Sequence, residues 1–223
     1  GSSSSAHVIY FFHGIGGNET HWKNTGIREA IRNKLSGSPE LMPHAFSISF
    51  GRGWFFSDVK FNKDSRLTVF LRDILPALEA NLPLPALKRT LIGDSMGGFN
   101  VLRLGMEEPH FFSDVLALCP ALLPIGPYSS KEDRDSFKER NKRYLIPMLL
   151  ENLQWWAKGE FPTQIDWTNN NPYDRADQPI ATLPKLFVSQ NLRDEFGFPE
   201  ATSAFVEKIK SQGHSVELRT IDD

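Results

Sequence analysis

Gly93-Asp94-Ser95-Met96-Gly97, with Gly98 behind it, is the stretch of this chain whose residue types and spacing could do chemistry. A short apolar run, Thr90 to Ile92, enters it, and a helix-like segment, Phe99 to Glu108, leaves it. A turn this sharp between strand and helix forces the serine into a strained backbone conformation. Side chains two positions to either side would collide with the neighbouring strand and helix, which explains the glycines. The outcome is a serine hydroxyl held out for nucleophilic attack on a carbonyl carbon. The bare five-residue pattern arises often by chance; its weight comes from the strand before it, the helix after it and a second motif upstream.

That second motif is His13-Gly14-Ile15-Gly16-Gly17, directly after the apolar run Val8-Ile9-Tyr10-Phe11-Phe12. A glycine-rich loop at a strand's end leaves backbone N–H groups free. Acyl transfer builds negative charge on the former carbonyl oxygen, and each preorganised donor contributes on the order of 3 kcal/mol to lowering that barrier. The N–H groups of Ile15 and Met96 are the expected donors of this oxyanion hole.

The elements that must position these groups follow from the rest of the chain. Short β-type runs alternate with longer amphipathic segments, which predicts an α/β fold with a mostly parallel sheet covered by helices. Six strands are expected: Val8 to Phe12, Ala45 to Phe50, Thr90 to Ile92, Asp114 to Leu118, Lys185 to Ser189 and Ser215 to Ile221. Leu67, Phe70, Leu71, Ile74, Leu75 and Leu78 recur at helical spacing and predict a helix packed on the sheet. A second helix is expected over Glu200 to Gln212, with Phe205 and Ile209 on its inner face. Trp54 and Phe55 follow the second strand's C-terminal end, the ligand-binding edge of open α/β sheets, and are candidate pocket residues beside His13 and Gly14.

The chain resembles the α/β-hydrolase superfamily and, within it, the putative-esterase group of esterase D and feruloyl esterase-like proteins. The resemblance rests on "YFFHGIGG", on "GRGWFFSD" from Gly51 to Asp58, on "LIGDSMGGFNVLRLGMEEPHFF" from Leu91 to Phe112, and on "LFVSQNLRDEF" from Leu186 to Phe196. It implies an acid of a Ser-His-Asp triad in the turn after the fifth strand, where Asp194 stands, with Glu195 the adjacent alternative. It also implies a helical cap where the alternation stops, from Pro124 to Pro184. Within that insertion Trp155 and Trp156 read either as an acyl-binding wall or as what holds the insertion to the body. The charged run Lys131 to Lys142 reads as a solvated helix face.

The resemblance puts the triad histidine on the loop after the last strand, so it is expected just beyond Asp223. The histidines present fit less well. His214 precedes the last strand, and six residues at about 3.3 Å each place it roughly 20 Å from Ser95. His7 and His44 also precede strands, and His110 falls at the far end of the helix leaving the elbow. His13 and His21 lie at the correct edge, but a His-Gly histidine ordinarily belongs to the oxyanion loop itself.

Composition is consistent with one domain spanning 1–223, because 40% hydrophobic and 23% charged content over 223 residues can bury a sizeable core. A net charge of -2 with both signs interspersed gives no reason to expect nucleic acid as a partner. No apolar stretch approaches the roughly 20 residues of a membrane span, so no membrane partner is expected either. Gly1 to Ser5 reads as a flexible leader rather than a signal peptide. The single cysteine, Cys119, cannot close an intrachain disulfide and is expected to be a buried structural thiol. No clustered Cys/His metal motif is present, and no cofactor is expected. The expected chemistry is hydrolysis of a small carboxylic ester through an acyl-enzyme. Two alternatives stay open: transfer of the same acyl group to an alcohol, and a non-catalytic binding protein that keeps the fold.

Overall fold

The computed structural model describes residues 6–51, 64–83 and 85–223. Six strands form one sheet: β1 (Ala6–Phe12), β2 (His44–Ile48), β3 (Ala86–Asp94), β4 (Asp114–Leu118), β5 (Lys185–Asn191) and β6 (Val216–Ile221). Their spatial order is β2-β1-β3-β4-β5-β6, and every neighbouring pair is parallel. All six strands expected from the sequence are present. The boundaries moved most at β3, which starts four residues earlier than the apolar run, because Lys88 and Arg89 can pair in the ladder while their heads reach ion partners at its margin. β2 stops at Ile48, two residues short of the expected end.

Helices connect the strands: α1 (His21–Asn24), α2 (Ile27–Lys34), α3 (Arg66–Val69), α4 (Leu75–Glu79), α5 (Met96–Glu107), α6 (Lys131–Asn141), α7 (Pro147–Glu160), α8 (Gln164–Asn170), α9 (Pro172–Arg175) and α10 (Phe198–Ser211). The strand order moves outward in one direction after β1 and in the other from β3 onward. The right-handed crossover rule then puts α1 and α2 on one face of the sheet and α5 and α10 on the other. The packing agrees. Ile9, Phe11 and Ile92 meet Trp22, Ile27 and Ile31 on the first face, while Tyr10, Phe12 and Leu91 join the large core with Phe99, Phe205 and Ile209 on the second.

The helix expected from Leu67 to Leu78 forms, but a π turn at Phe70–Ile74 interrupts it. Pro76 is the physical reason: it has no N–H to give to the carbonyl four residues back, and its ring would clash there, so the preceding turn widens. Of the expected apolar face only Phe70 and Leu75 are fully buried. α5 is buried along nearly its whole length, Met96 to Met106, because it runs beneath the α6–α9 segment as well as against the sheet. Trp167 is the anchor of that segment, packed on Phe99 and Phe161 at centroid distances of 6.1 and 5.5 Å. α8 is started by a reciprocal cap in which Thr163 Oγ1 accepts from the Asp166 N–H and the Asp166 carboxylate accepts from the Thr163 N–H. Trp155 and Trp156 do not hold the insertion to the body: they are 71% and 43% exposed, and Leu150, Leu153 and Ala157 make that contact. α6 is solvated apart from Phe137, as its charges predict. Among the described residues, no helix is long and apolar enough to cross a membrane.

Candidate active site

The strand order reverses between β1 and β3, and at such a switch point the loops leaving the two strands diverge to opposite faces and open a crevice. The two loops there are His13 to Gly17, leaving β1, and the turn at Ser95, leaving β3. Ser95 has φ 54 and ψ -111, a conformation that costs a non-glycine residue of order 1–3 kcal/mol. The surroundings enforce it. The Ser95 N–H donates to the Leu118 carbonyl at 2.8 Å, and the Ser95 carbonyl accepts from the N–H groups of Phe99 and Ala121 at 3.1 and 2.9 Å. A Cβ on Gly93 would sit 2.1 Å from the Gly97 carbonyl oxygen, and one on Gly97 would sit 2.0 Å from the Phe12 carbonyl oxygen. Strand, helix and the neighbouring strand therefore touch backbone to backbone, which only glycine permits.

The first loop comes close to the serine. A Cβ built on Gly14 would lie 3.2 Å from Ser95 Cβ. Gly14 to Gly17 closes a turn through Gly17 N–H to Gly14 O at 3.1 Å, with Gly16 at φ 76. His13 is fully buried beneath this loop, its ring closed off from any ligand. Its Nδ1 donates to the Gly14 carbonyl at 2.8 Å, which leaves Nε2 to accept from the Ser49 hydroxyl at 2.9 Å. That imidazole braces the loop against the segment after β2. Ile15 is half-buried at the turn, and Met96 opens α5, so its N–H has no intrahelical acceptor. Trp54 and Phe55 lie outside the described residues.

Asp194 stands in the turn after β5, two strands to the side of Ser95 at the same sheet edge. Its Oδ1 accepts from the N–H groups of Phe196 and Phe198 at 2.8 and 3.2 Å. Burial raises its carboxyl above the usual range, and the N–H donors of Phe198, Phe196 and Gly197 pull the other way. The path leaving β6 is pinned to this same turn. Leu192 N–H donates to Ile221 O at 2.8 Å, Asn191 Nδ2 to Asp223 O at 3.1 Å, and Arg193 Nε meets Asp222 Oδ1 at 2.9 Å.

The other histidines serve elsewhere. His7 bonds Thr90 at 2.9 Å and His214 bonds the Ile180 carbonyl at 2.8 Å, both in the half of the sheet remote from Ser95. His110 lines a cleft of about 420 Å³ with Glu107, Asp174 and Arg175 beyond the far end of α5, where Arg175 already pairs with Glu107 at 2.9 Å. His21 lies at the correct edge, but its Nε2 faces Asp94 Oδ2 at 3.5 Å and its ring stacks on Phe11. Among the described residues, no histidine is hydrogen-bonded to the Ser95 hydroxyl. Asp94 and His21 are the site neighbours that sequence reasoning missed as a pair. The signal was the residue between the elbow's first glycine and its serine, which strand alternation turns to the α1 face.

Cys119 is half-buried rather than buried, at φ 43 just beyond β4. Its N–H bonds the Ser189 carbonyl at 3.1 Å. Burial pushes its thiol up, the Ser189 hydroxyl opposes this, and the Asp194 and Asp94 carboxylates add to the rise. Among the described residues, no group of three His, Cys, Asp or Glu side chains is arranged to hold a metal.

A parallel sheet with a serine elbow at its switch point defines an α/β-hydrolase fold. The profile of the Putative esterase family matches residues 2–212, and the chain belongs to that family. Over 136 residues it is 27% identical to an endo-1,4-beta-xylanase/feruloyl esterase of Xylanibacter ruminicola, a match covering 57% of this chain and 18% of that protein's length. Similar solved structures include a ferulic acid esterase, with TM-score 0.61 and 16% identity over 98% of this chain and 78% of the other. FphF, a fluorophosphonate-binding serine hydrolase of Staphylococcus aureus, superposes with TM-score 0.70 and 13% identity over 100% and 78% of the two chains. An S-formylglutathione hydrolase from Agrobacterium tumefaciens gives TM-score 0.66 and 14% identity over 98% and 76%.

Proposed function

We propose that the protein is a serine esterase that hydrolyses small carboxylic esters through an acyl-enzyme. Ser95 attacks the carbonyl carbon, and the oxyanion that forms is stabilised by the N–H groups of Ile15 and Met96. A histidine takes the serine proton and returns it to the leaving alcohol, and Asp194 fixes that histidine's tautomer and stabilises its cation. Water then attacks the acyl-enzyme by the same route in reverse and releases the acid. The observation that carries the reading is the strained backbone of Ser95 at the sheet's switch point, with Gly14 packed against its side chain. A strained, glycine-locked serine is a cost to the fold that a purely structural turn has no need of.

The base in this reading is a histidine on the loop that leaves β6, following Asp223. The pinning of Asp222 and Asp223 to the Asp194 turn supports it, since a chain continuing from there begins its path beside the acid. The helices between β4 and β5 act as a cap over the site, with Trp167 and Phe161 as their anchors rather than Trp155 and Trp156.

Intact mass before and after a fluorophosphonate tests the nucleophile directly. One adduct on the full natural chain, lost in Ser95→Ala, is the expected result. A full-length chain that takes no adduct yet still binds esters would instead make this a hydrolase-fold binding protein. Adding an acceptor alcohol and analysing products separates hydrolysis from acyl transfer, with free acid the expected main product.

A further inference from the structure

Among the described residues, Asp94 makes one ion contact, a loose one with His21. The alternation of β3 turns Ile92 and Asp94 to the face covered by α1 and α2, where Ile92 packs with Ile9 and Phe11. Asp94 comes at the end of that row, where the sheet edge opens. Its Oδ2 lies 3.2 Å from the point where a Gly14 Cβ would be, and Ser95 Cβ lies 3.2 Å from that same point. The carboxylate and the serine side chain therefore flank Gly14 together. Among the described residues His21 meets this carboxylate at 3.5 Å, a loose contact, and His13 acts on it electrostatically from farther off. Asp94 and His21 are open at the surface, 35% and 37% exposed. Burial of the remainder raises the Asp94 carboxyl, so the fold keeps a carboxylate where a neutral residue would be easier to accommodate.

The direction of the substrate follows from the chemistry of the proposed site. The leaving-group oxygen must face the base, which Asp194 orients from the β5 side. The oxyanion occupies the hole, so the rest of the acyl group is directed toward β1, where Gly14, Asp94 and His21 lie. We propose that Asp94, steadied by His21, is a specificity-determining residue that repels anionic acyl groups, so that the enzyme takes neutral or cationic acyl esters. The proposal rests on Ser95 being the nucleophile. Repulsion between two like charges in a partly screened site discriminates by roughly tenfold.

The test is kcat/KM for three 4-nitrophenyl esters that differ in one terminal group: the monoester of adipic acid (anionic), the ester of adipamic acid (neutral) and the ester of 6-aminohexanoic acid (cationic). At low ionic strength and pH 7.5 the wild-type protein is expected to cleave the neutral ester about tenfold faster than the anionic one, with the cationic ester at least equal to the neutral. Asp94→Asn is expected to bring the neutral-to-anionic ratio below about threefold, while His21→Gln keeps or steepens it. Because the readout is a ratio on one preparation, loss of active protein cancels. In the wild type itself, raising salt to about 0.5 M narrows the ratio by screening, a check that does not depend on any variant folding. A wild-type protein blind to acyl charge, or an Asp94→Asn protein with the wild-type ratio, overturns the proposal. Turnover that survives Ser95→Ala overturns the esterase mechanism instead, so the two failures are distinct.

Discussion

The two halves of the sheet carry the same kinds of ionisable residue and treat them in opposite ways. In the N-terminal half, Glu79 receives the Tyr10 hydroxyl at 2.5 Å and the Arg89 guanidinium through two bonds at 2.6 and 2.8 Å. Burial pushes that carboxyl up, yet the bonds from Arg89 and Tyr10 outweigh it and hold it below the usual range. Nearby, Thr90 joins His7 and Asp114, and Lys88 pairs with Asp114 at 3.0 Å. In the C-terminal half, among the described residues, Asp94 has His21 at 3.5 Å and Asp194 has backbone N–H donors rather than a basic side chain, and burial leaves both carboxyls raised. Charges that brace a fold are matched to each other. The carboxylates of the proposed site are matched less completely, as groups kept for a substrate or a catalytic partner would be.

The sharpest way to break this contrast is at Ser95. Ser95→Ala is expected to lower kcat/KM by 10³-fold or more, with melting behaviour close to wild type, and Asp194→Asn by about the same factor. Steady-state kinetics beside a thermal melt would read both, and a large loss of stability in either variant would make that residue a brace rather than a working group. Gly97→Ala should do the reverse, since its Cβ would sit 2.0 Å from the Phe12 carbonyl oxygen and backbone must move. A destabilisation of about 4 kcal/mol or more in urea unfolding is expected there.

Glu79→Gln tests the braced half. It removes the charge that a guanidinium only 22% exposed was matched to, and a loss of about 2 to 3 kcal/mol is expected at pH 7, with kcat within twofold. Because the folded-state carboxyl is depressed, this stabilisation is present above the unfolded value near 4.3 and fades as pH falls through the lower folded value. Denaturant midpoints of wild type and variant should therefore converge toward pH 3. A raised carboxyl has the opposite sign, and Asp174 sharpens the comparison. Burial lifts it to about 6, with the Asn171 bond and the Lys208 charge opposing. The folded state then holds a proton that the unfolded state releases, so this group costs stability as pH rises from about 4 to 6. Asp174→Asn is expected to gain about 1 to 2 kcal/mol at pH 7.5 and nothing at pH 4. Equal midpoint shifts at both pH values would remove Asp174 from the account.

Much of the fold was legible because periodicity is local. The six strands and the α10 face carrying Phe205 and Ile209 are written in residues within a few positions of each other. Boundaries were less so: β3 extends back through Lys88 and Arg89, which read as loop until partners across the chain accept their charges. The π turn before Pro76 and the outward-facing Trp155 and Trp156 were hidden for a related reason, since burial depends on what arrives from elsewhere.

By itself the sequence determined the elbow and the glycine loop, because backbone-to-backbone contact admits one residue type and leaves a mark wherever it occurs. It also determined the alternation that makes the sheet parallel. Only the tertiary structure decided what the polar residues do. It placed His13 under the loop as a brace, set Asp94 beside Ser95 with His21 against it, and fastened the exit of β6 to the Asp194 turn. Those roles depend on distances between residues far apart in the chain, and a side chain's charge state is set by the neighbours that folding brings to it.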